Sequence, residues 1–226
     1  MIYIVRGIFM KWIELEKSWQ ILFGLSWQSF CEGDYPIAAI IVDREGTVLA
    51  FGRNHTNNKN KFPNPKVVHA ETQCLQSLDT KRYPKVNEYI LYTTMEPCPM
   101  CMGMIVMGGI RHVIMGSKDR YAGASDILLT NEYCKSKQVK VELNDAVFGD
   151  LQIAMQGYVE LRDRGYDSLV LKRLEQDYPI GALVAKELFE KRMLEEFVKK
   201  EQSIEVIFDT LCDYINCKQV QLATKR

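Results

Sequence analysis

Two short motifs, His69-Ala70-Glu71 and Glu96-Pro97-Cys98-Pro99-Met100-Cys101, constrain this chain most, because their donor side chains are of the kind that meet on one ion. Cys98 and Cys101 are i and i+3, so a helix presents both sulfurs on one face. Pro97 and Pro99 suit the first turn of a helix and would break it further in. The thiols therefore belong at a helix N-terminus, where the macrodipole and unpaired amides favour the thiolate. His69 and Glu71 are i and i+2, a spacing that shares no face in a helix interior. They converge only if His69 caps a helix beginning at Ala70, and Ala70, Leu75 and Leu78 interleaved with Thr72, Gln73, Gln76 and Ser77 read as that amphipathic helix. His69, Cys98 and Cys101 offer three ligands and leave Glu71 over. A structural zinc site is closed by four protein ligands, so three ligands and a spare carboxylate point to a catalytic zinc.

H-x-E followed by P-C-x-x-C is the signature of zinc-dependent base deaminases. Each half is weak or moderate alone; both in this order, in a strand-to-helix context, are strong. The stretch Thr94-Met95-Glu96-Pro97-Cys98-Pro99-Met100-Cys101-Met102-Gly103, with Ile110-Arg111-His112-Val113 and Met115-Gly116-Ser117-Lys118-Asp119 after it, resembles the guanine deaminase and tRNA-adenosine deaminase branch of the cytidine deaminase-like superfamily. The resemblance runs from Tyr35 to Leu143. It implies a three-layer α/β/α fold around a mixed five-stranded sheet, with Zn2+ on His69, Cys98 and Cys101. It also implies Glu71 as proton carrier, substrate contacts from Asn54, Ala70 and Asp119, and a homodimer. The Gly116–Ala124 loop of such enzymes flanks the substrate; the competing reading of Asp119 is a turn former, as it is for Asn54 at a strand end.

The flanking sequence fits an α/β domain. Apolar residues from Lys11 to Cys31 recur at three and four, so a long amphipathic helix is expected over 11–31, its aromatic side chains in the core. Tyr35-Pro36 ends it. Ile37 to Val42 is a β-branched run typical of a buried strand, Asp43-Arg44-Glu45-Gly46 a hairpin turn, and Val48 to Gly52 the returning strand. Asn54 to Pro65 is a polar loop placed to act as a lid or specificity loop, and His55 within it reads as a solvent-exposed loop histidine. Glu88 to Thr94 is a strand reached by a crossover, hence joining in parallel. His112 to Met115 and Val139 to Leu143 complete the sheet, with His112 structural. Met100, Met102, Met104 and Met107 read as core filler.

Beyond Asn144 the pattern is helical, broken at Pro179-Ile180-Gly181, with strong helices over 182–199 and 204–215 and a frayed end from Lys218. The expected organisation is a deaminase domain over 1–144, a helical extension over 145–217 and a disordered tail over 218–226. No chemical motif marks the extension. Met1 to Met10 is too short for a membrane span and lacks a leader-peptide pattern. Seven cysteines, an odd number without scaffold spacing, fit a reducing cytoplasm.

Twenty-nine basic residues balance 29 acidic ones, which leaves no global nucleic-acid footprint. The expected activity is therefore hydrolytic removal of an exocyclic amine from a small-molecule base or nucleoside, purine-like, with tRNA wobble adenosine as the alternative substrate. A third reading is an assembly protein with a relict zinc site, against which an intact Glu71 argues.

Overall fold

The computed structural model describes residues 10–224, so the reading of the N-terminus, Met10 apart, lies outside the described residues. Contacts divide the chain into two compact units. The first, Lys17–Asp145, holds a five-stranded sheet in the order β2-β1-β3-β4-β5. Helix α1 is Lys17–Cys31, followed by β1 (Ala38–Val42) and β2 (Val48–Arg53). Asp43 Oδ1 accepts from the amides of Glu45 and Thr47, and Gly46 at φ 81° closes the hairpin. Then come α2 (Ala70–Ser77), β3 (Ile90–Thr93), α3 (Pro99–Gly108), β4 (His112–Met115), the short helices α4 (Ile127–Thr130) and α5 (Glu132–Ser136), and β5 (Lys140–Leu143).

All five residues of β1 are buried, as expected of a strand covered on both faces. Ala39 and Ile41 enter one core with Cys74 of α2, Leu91 of β3, and Met102 and Ile105 of α3. On the opposite face Tyr92, paired across the sheet with Ile40, meets Trp19 of α1 edge to face at 5.7 Å. The expected mixed five-stranded sheet with helices on both faces is therefore present.

Several expectations are corrected. The crossover strand β3 runs parallel to β4 but pairs with β1 in antiparallel fashion. The hairpin puts β1 between β2 and β3, so the crossover from β2 passes over a strand before it lands. The helix expected over 11–31 begins at Lys17 and is preceded by a 3-10 turn, Trp12–Glu14. Tertiary pairing overrides the local period there: Trp12 N–H donates to Asp209 Oδ1 at 2.8 Å and its ring meets Phe208 edge-on at 5.6 Å.

That turn belongs to the second unit, built from the residues before Lys17 and those from Ala146 onward. Its helices are α6 (Asp145–Arg164), α7 (Leu169–Leu174), α8 (Pro179–Glu190), α9 (Met193–Lys199) and α10 (Ile204–Ala223). Pro179 starts α8 at its first turn, where its missing N–H costs nothing, and does not break it. The single helix expected over 182–199 is divided at Arg192, whose φ is 50°. Leu188 and Leu194 are both fully buried, and a straight helix would point them to different sides. The end expected to fray from Lys218 is helical to Ala223, with Lys218 Nζ 2.6 Å from Glu187 Oε2. Among the described residues no helix is long and apolar enough to cross a membrane.

Helix α2 lies directly on β2 at Gly52, where a Cβ would fall 2.2 Å from Ala70 O and 2.4 Å from Cys74 N. Both obstacles are backbone atoms that cannot give way. Gly52→Ala is expected to lower unfolding free energy by about 3 kcal/mol, read as a reduced denaturant midpoint.

Candidate metal centre and active site

His69 is the N-cap of α2 and Cys98 the N-cap of α3, both with extended backbone. Thr72 Oγ1 accepts the His69 N–H at 3.0 Å and so holds the cap in place. Cys101 follows one turn into α3. His69 Nδ1 lies 3.6 Å from Cys98 Sγ and 3.5 Å from Cys101 Sγ, and the two sulfurs are 3.6 Å apart. Zinc bonds of about 2.0–2.1 Å to nitrogen and 2.3 Å to sulfur, at tetrahedral angles, place donors roughly 3.6 Å (N to S) and 3.8 Å (S to S) apart. The three donors have the softness, number and spacing of a zinc site with one position left over.

The electrostatics favour binding. Contact with Cys101 pulls the Cys98 thiol down to about 4, despite its partial burial. Contact with Cys98 and burial push Cys101 up, a shift that a bound cation would reverse by favouring the thiolate. His69 is raised, chiefly by contact with Cys98.

Glu71, in the first turn of α2, is buried beside these donors. Burial pushes its carboxyl up, opposed in part by Thr93, the last residue of β3, whose Oγ1 donates to Glu71 Oε1 at 2.8 Å. A carboxylate raised toward neutrality and held in one orientation is suited to accept and release a proton within one cycle.

The remaining candidates are placed as follows. Ala70 is the first residue of α2 and fully buried; its N–H has no intrahelical partner, which is the rule for a first-turn amide. Asn54 directly follows β2 in a buried position, with Oδ1 accepting from Thr56 N (2.9 Å) and Thr56 Oγ1 (2.7 Å), so the amide NH2 is the end it can offer a ligand. Asp119 Oδ1 accepts from the amides of Tyr121 and Ala122, and one carboxylate oxygen is thus spent on its own turn; burial raises its pKa. His112 faces Glu142 of β5, with Nε2 2.6 Å from Oε1. His55, expected in solvent, is 1% exposed. Its N–H donates to Val68 O and its ring packs on Phe62, because the Asn54–Pro65 loop folds back over it.

Two residues carry roles that the motifs did not suggest. Thr93 is one, as the partner of Glu71. The other is Glu96, which ties the Gly116–Ala124 loop to the start of α3. Its Oε2 accepts from Asp119 N at 3.2 Å, while Oε1 accepts from the amide and hydroxyl of Ser125. Gly123 closes against it so tightly that a Cβ would fall 2.5 Å from the Glu96 carboxylate. Glu96 preceding Pro-Cys was visible in the sequence, but its partners lie more than twenty residues on and only folding brings them near.

Residues 14–117 match the family model of the cytidine and deoxycytidylate deaminase zinc-binding region. The chain is 28% identical over 116 residues to a cytosine deaminase of Candida albicans, covering 51% of this chain and 75% of that one. It is 26% identical over 138 residues to a tRNA-specific adenosine deaminase of Rickettsia bellii, covering 60% and 93%. A solved guanine deaminase from Nitrosomonas europaea superposes with a TM-score of 0.48 at 16% identity, over 64% of this chain and 84% of that one.

Cobalt-loaded protein is expected to show a thiolate-to-metal charge-transfer band that Cys98→Ala and Cys101→Ala abolish and Glu71→Gln preserves. Thr93→Val, which leaves the buried Glu71 without its hydroxyl donor, is expected to lower kcat about tenfold, or about 1.4 kcal/mol. Steady-state kinetics with an active substrate reads it.

Proposed function

We propose, from the match of residues 14–117 to the cytidine and deoxycytidylate deaminase zinc-binding region, that this chain is a zinc-dependent hydrolytic deaminase acting on a free nucleobase or nucleoside, purine-like in its ring. The observation that carries the reading is the buried Glu71, fixed by Thr93 beside a three-donor cluster that fits zinc. When bound, zinc supplies hydroxide at neutral pH by lowering the pKa of its water.

The chain's own residues do the rest. Glu71 takes one proton from water and gives it to the ring nitrogen as the water oxygen bonds to the amine-bearing carbon. It then takes the remaining hydroxyl proton and gives it to the amine, whose C–N bond breaks as the carbonyl forms and ammonia leaves. The Asn54 amide NH2 and the first amides of α2, Ala70 among them, are donors placed to meet a carbonyl or ring acceptor of the base. Asp119, on the loop clamped by Glu96, is in a position to meet the sugar of a nucleoside.

A balanced charge supports a small substrate over a polyanion. The second reading, wobble adenosine in tRNA, is favoured by the match to the Rickettsia enzyme. Cytosine belongs in any test, because the proteins to which this chain is similar include a cytosine deaminase and a probable cytosine deaminase.

Ammonia release from guanine, adenine, cytosine, their nucleosides and an unmodified tRNA, with Glu71→Gln as blank, separates these readings. Release from a purine base or nucleoside is the expected outcome, with Glu71→Gln slower by about 10²–10⁴-fold. Release from tRNA alone, with an affinity that falls steeply with salt, would replace the small-molecule reading.

A further inference from the structure

A second convergence of ligand-type side chains lies within the sheet unit, where the chain leaving α1 meets the end of β2. Glu32 and Asp34 follow α1, and His55 follows β2 by two residues. One donor atom from each lies within 4.8 Å of the others. Asp34 is fully buried and His55 nearly so, while Glu32 is 40% exposed.

The arrangement of the carboxylates is directional. Glu32 uses Oε1 for Arg53 and aims Oε2 at His55 Nδ1, 3.7 Å away. Asp34 uses Oδ1 to accept from Asn57 N at 2.6 Å and aims Oδ2 at the same Nδ1, 3.8 Å away. One oxygen of each is thus an anchor and the other converges, which is how outer partners orient metal-binding carboxylates. His55 Nδ1 is buried with no hydrogen-bond partner. Contacts of 3.7 and 3.8 Å are too long for hydrogen bonds. Burial, then Arg53 and Lys61, push His55 below the usual imidazole range, against the pull of Glu32. A buried imidazole nitrogen with two carboxylate oxygens converging on it is a donor set suited to a cation.

We propose that Glu32, Asp34 and His55 form a second metal site, made of nitrogen and oxygen donors alone, that takes a divalent cation of the zinc class. Imidazole with carboxylates suits first-row divalent ions. Bonds of about 2.0–2.2 Å set neighbouring donors roughly 3.4 Å apart, so the 3.7 and 3.8 Å separations from His55 close by only a few tenths of an ångström on binding. The ion fastens the root of the Asn54–Pro65 loop to the chain leaving α1, and so fixes the residue next to Asn54. It is distinct from the thiolate centre in donor chemistry and shares no residue with it.

Protein saturated with Zn2+ and then desalted is expected to retain about two ions per chain by elemental analysis. Glu32→Gln and His55→Gln are each expected to retain about one while keeping the thiolate-to-cobalt band of the cobalt-loaded form. Cys98→Ala, by contrast, is expected to lose that band and still retain the ion at His55. Glu32 is partly exposed, so its variant keeps the test valid should His55→Gln fail to fold. Retention of a single ion by the wild type, or equal retention by wild type and Glu32→Gln, overturns the proposal and leaves the thiolate site standing. Loss of the band in Glu32→Gln would also overturn it, since the two centres would then not be separate.

Discussion

Two sulfurs and an imidazole nitrogen converge here only because α2 and α3 begin side by side, and that demand extends through the sheet unit. Helix α2 is pressed onto β2 at Gly52, and α3 springs from β3 after five residues. Both helices begin at the same place, where their dipoles favour the anions gathered there. Thr93 closes the arrangement from the sheet side, so strand, helix and carboxylate share one buried hydrogen bond. The separation of 3.5 to 3.6 Å among the donors is a property of how these elements pack.

What the sequence made legible was local. Cys98 and Cys101 at i, i+3 behind a proline, and His69 as a cap before Ala70, are statements about one turn of helix, and the structure has both turns. The hairpin and the buried run of β1 were equally readable, since a β-branched stretch ending in Asp-Arg-Glu-Gly has few alternatives. Non-local features were hidden. The pairing of β3 with β1 depends on which strand the crossover passes. The break before Lys17 depends on Asp209 and Phe208, nearly two hundred residues away, and the burial of His55 depends on a loop folding back to Val68.

Two carboxylates near the three donors are used differently. Glu71 is buried with one positioning hydroxyl from Thr93, whereas half-buried Glu96 has both oxygens committed to the segment that carries Asp119 and Ser125. One is free to exchange a proton, the other holds its surroundings still. Because Glu96 is two residues from Cys98, the same carboxylate ties the Asp119 loop to the start of α3.

The helical unit is discontinuous: its first turn, Trp12–Glu14, lies ahead of the whole sheet unit, and its partners Phe208 and Asp209 lie behind it. During synthesis the sheet unit leaves the ribosome before α10 exists and can close around its own core first. The contacts of Trp12 with Phe208 and Asp209 form only once α10 has been made, so the helical unit is completed by joining the start of its chain to its last helix.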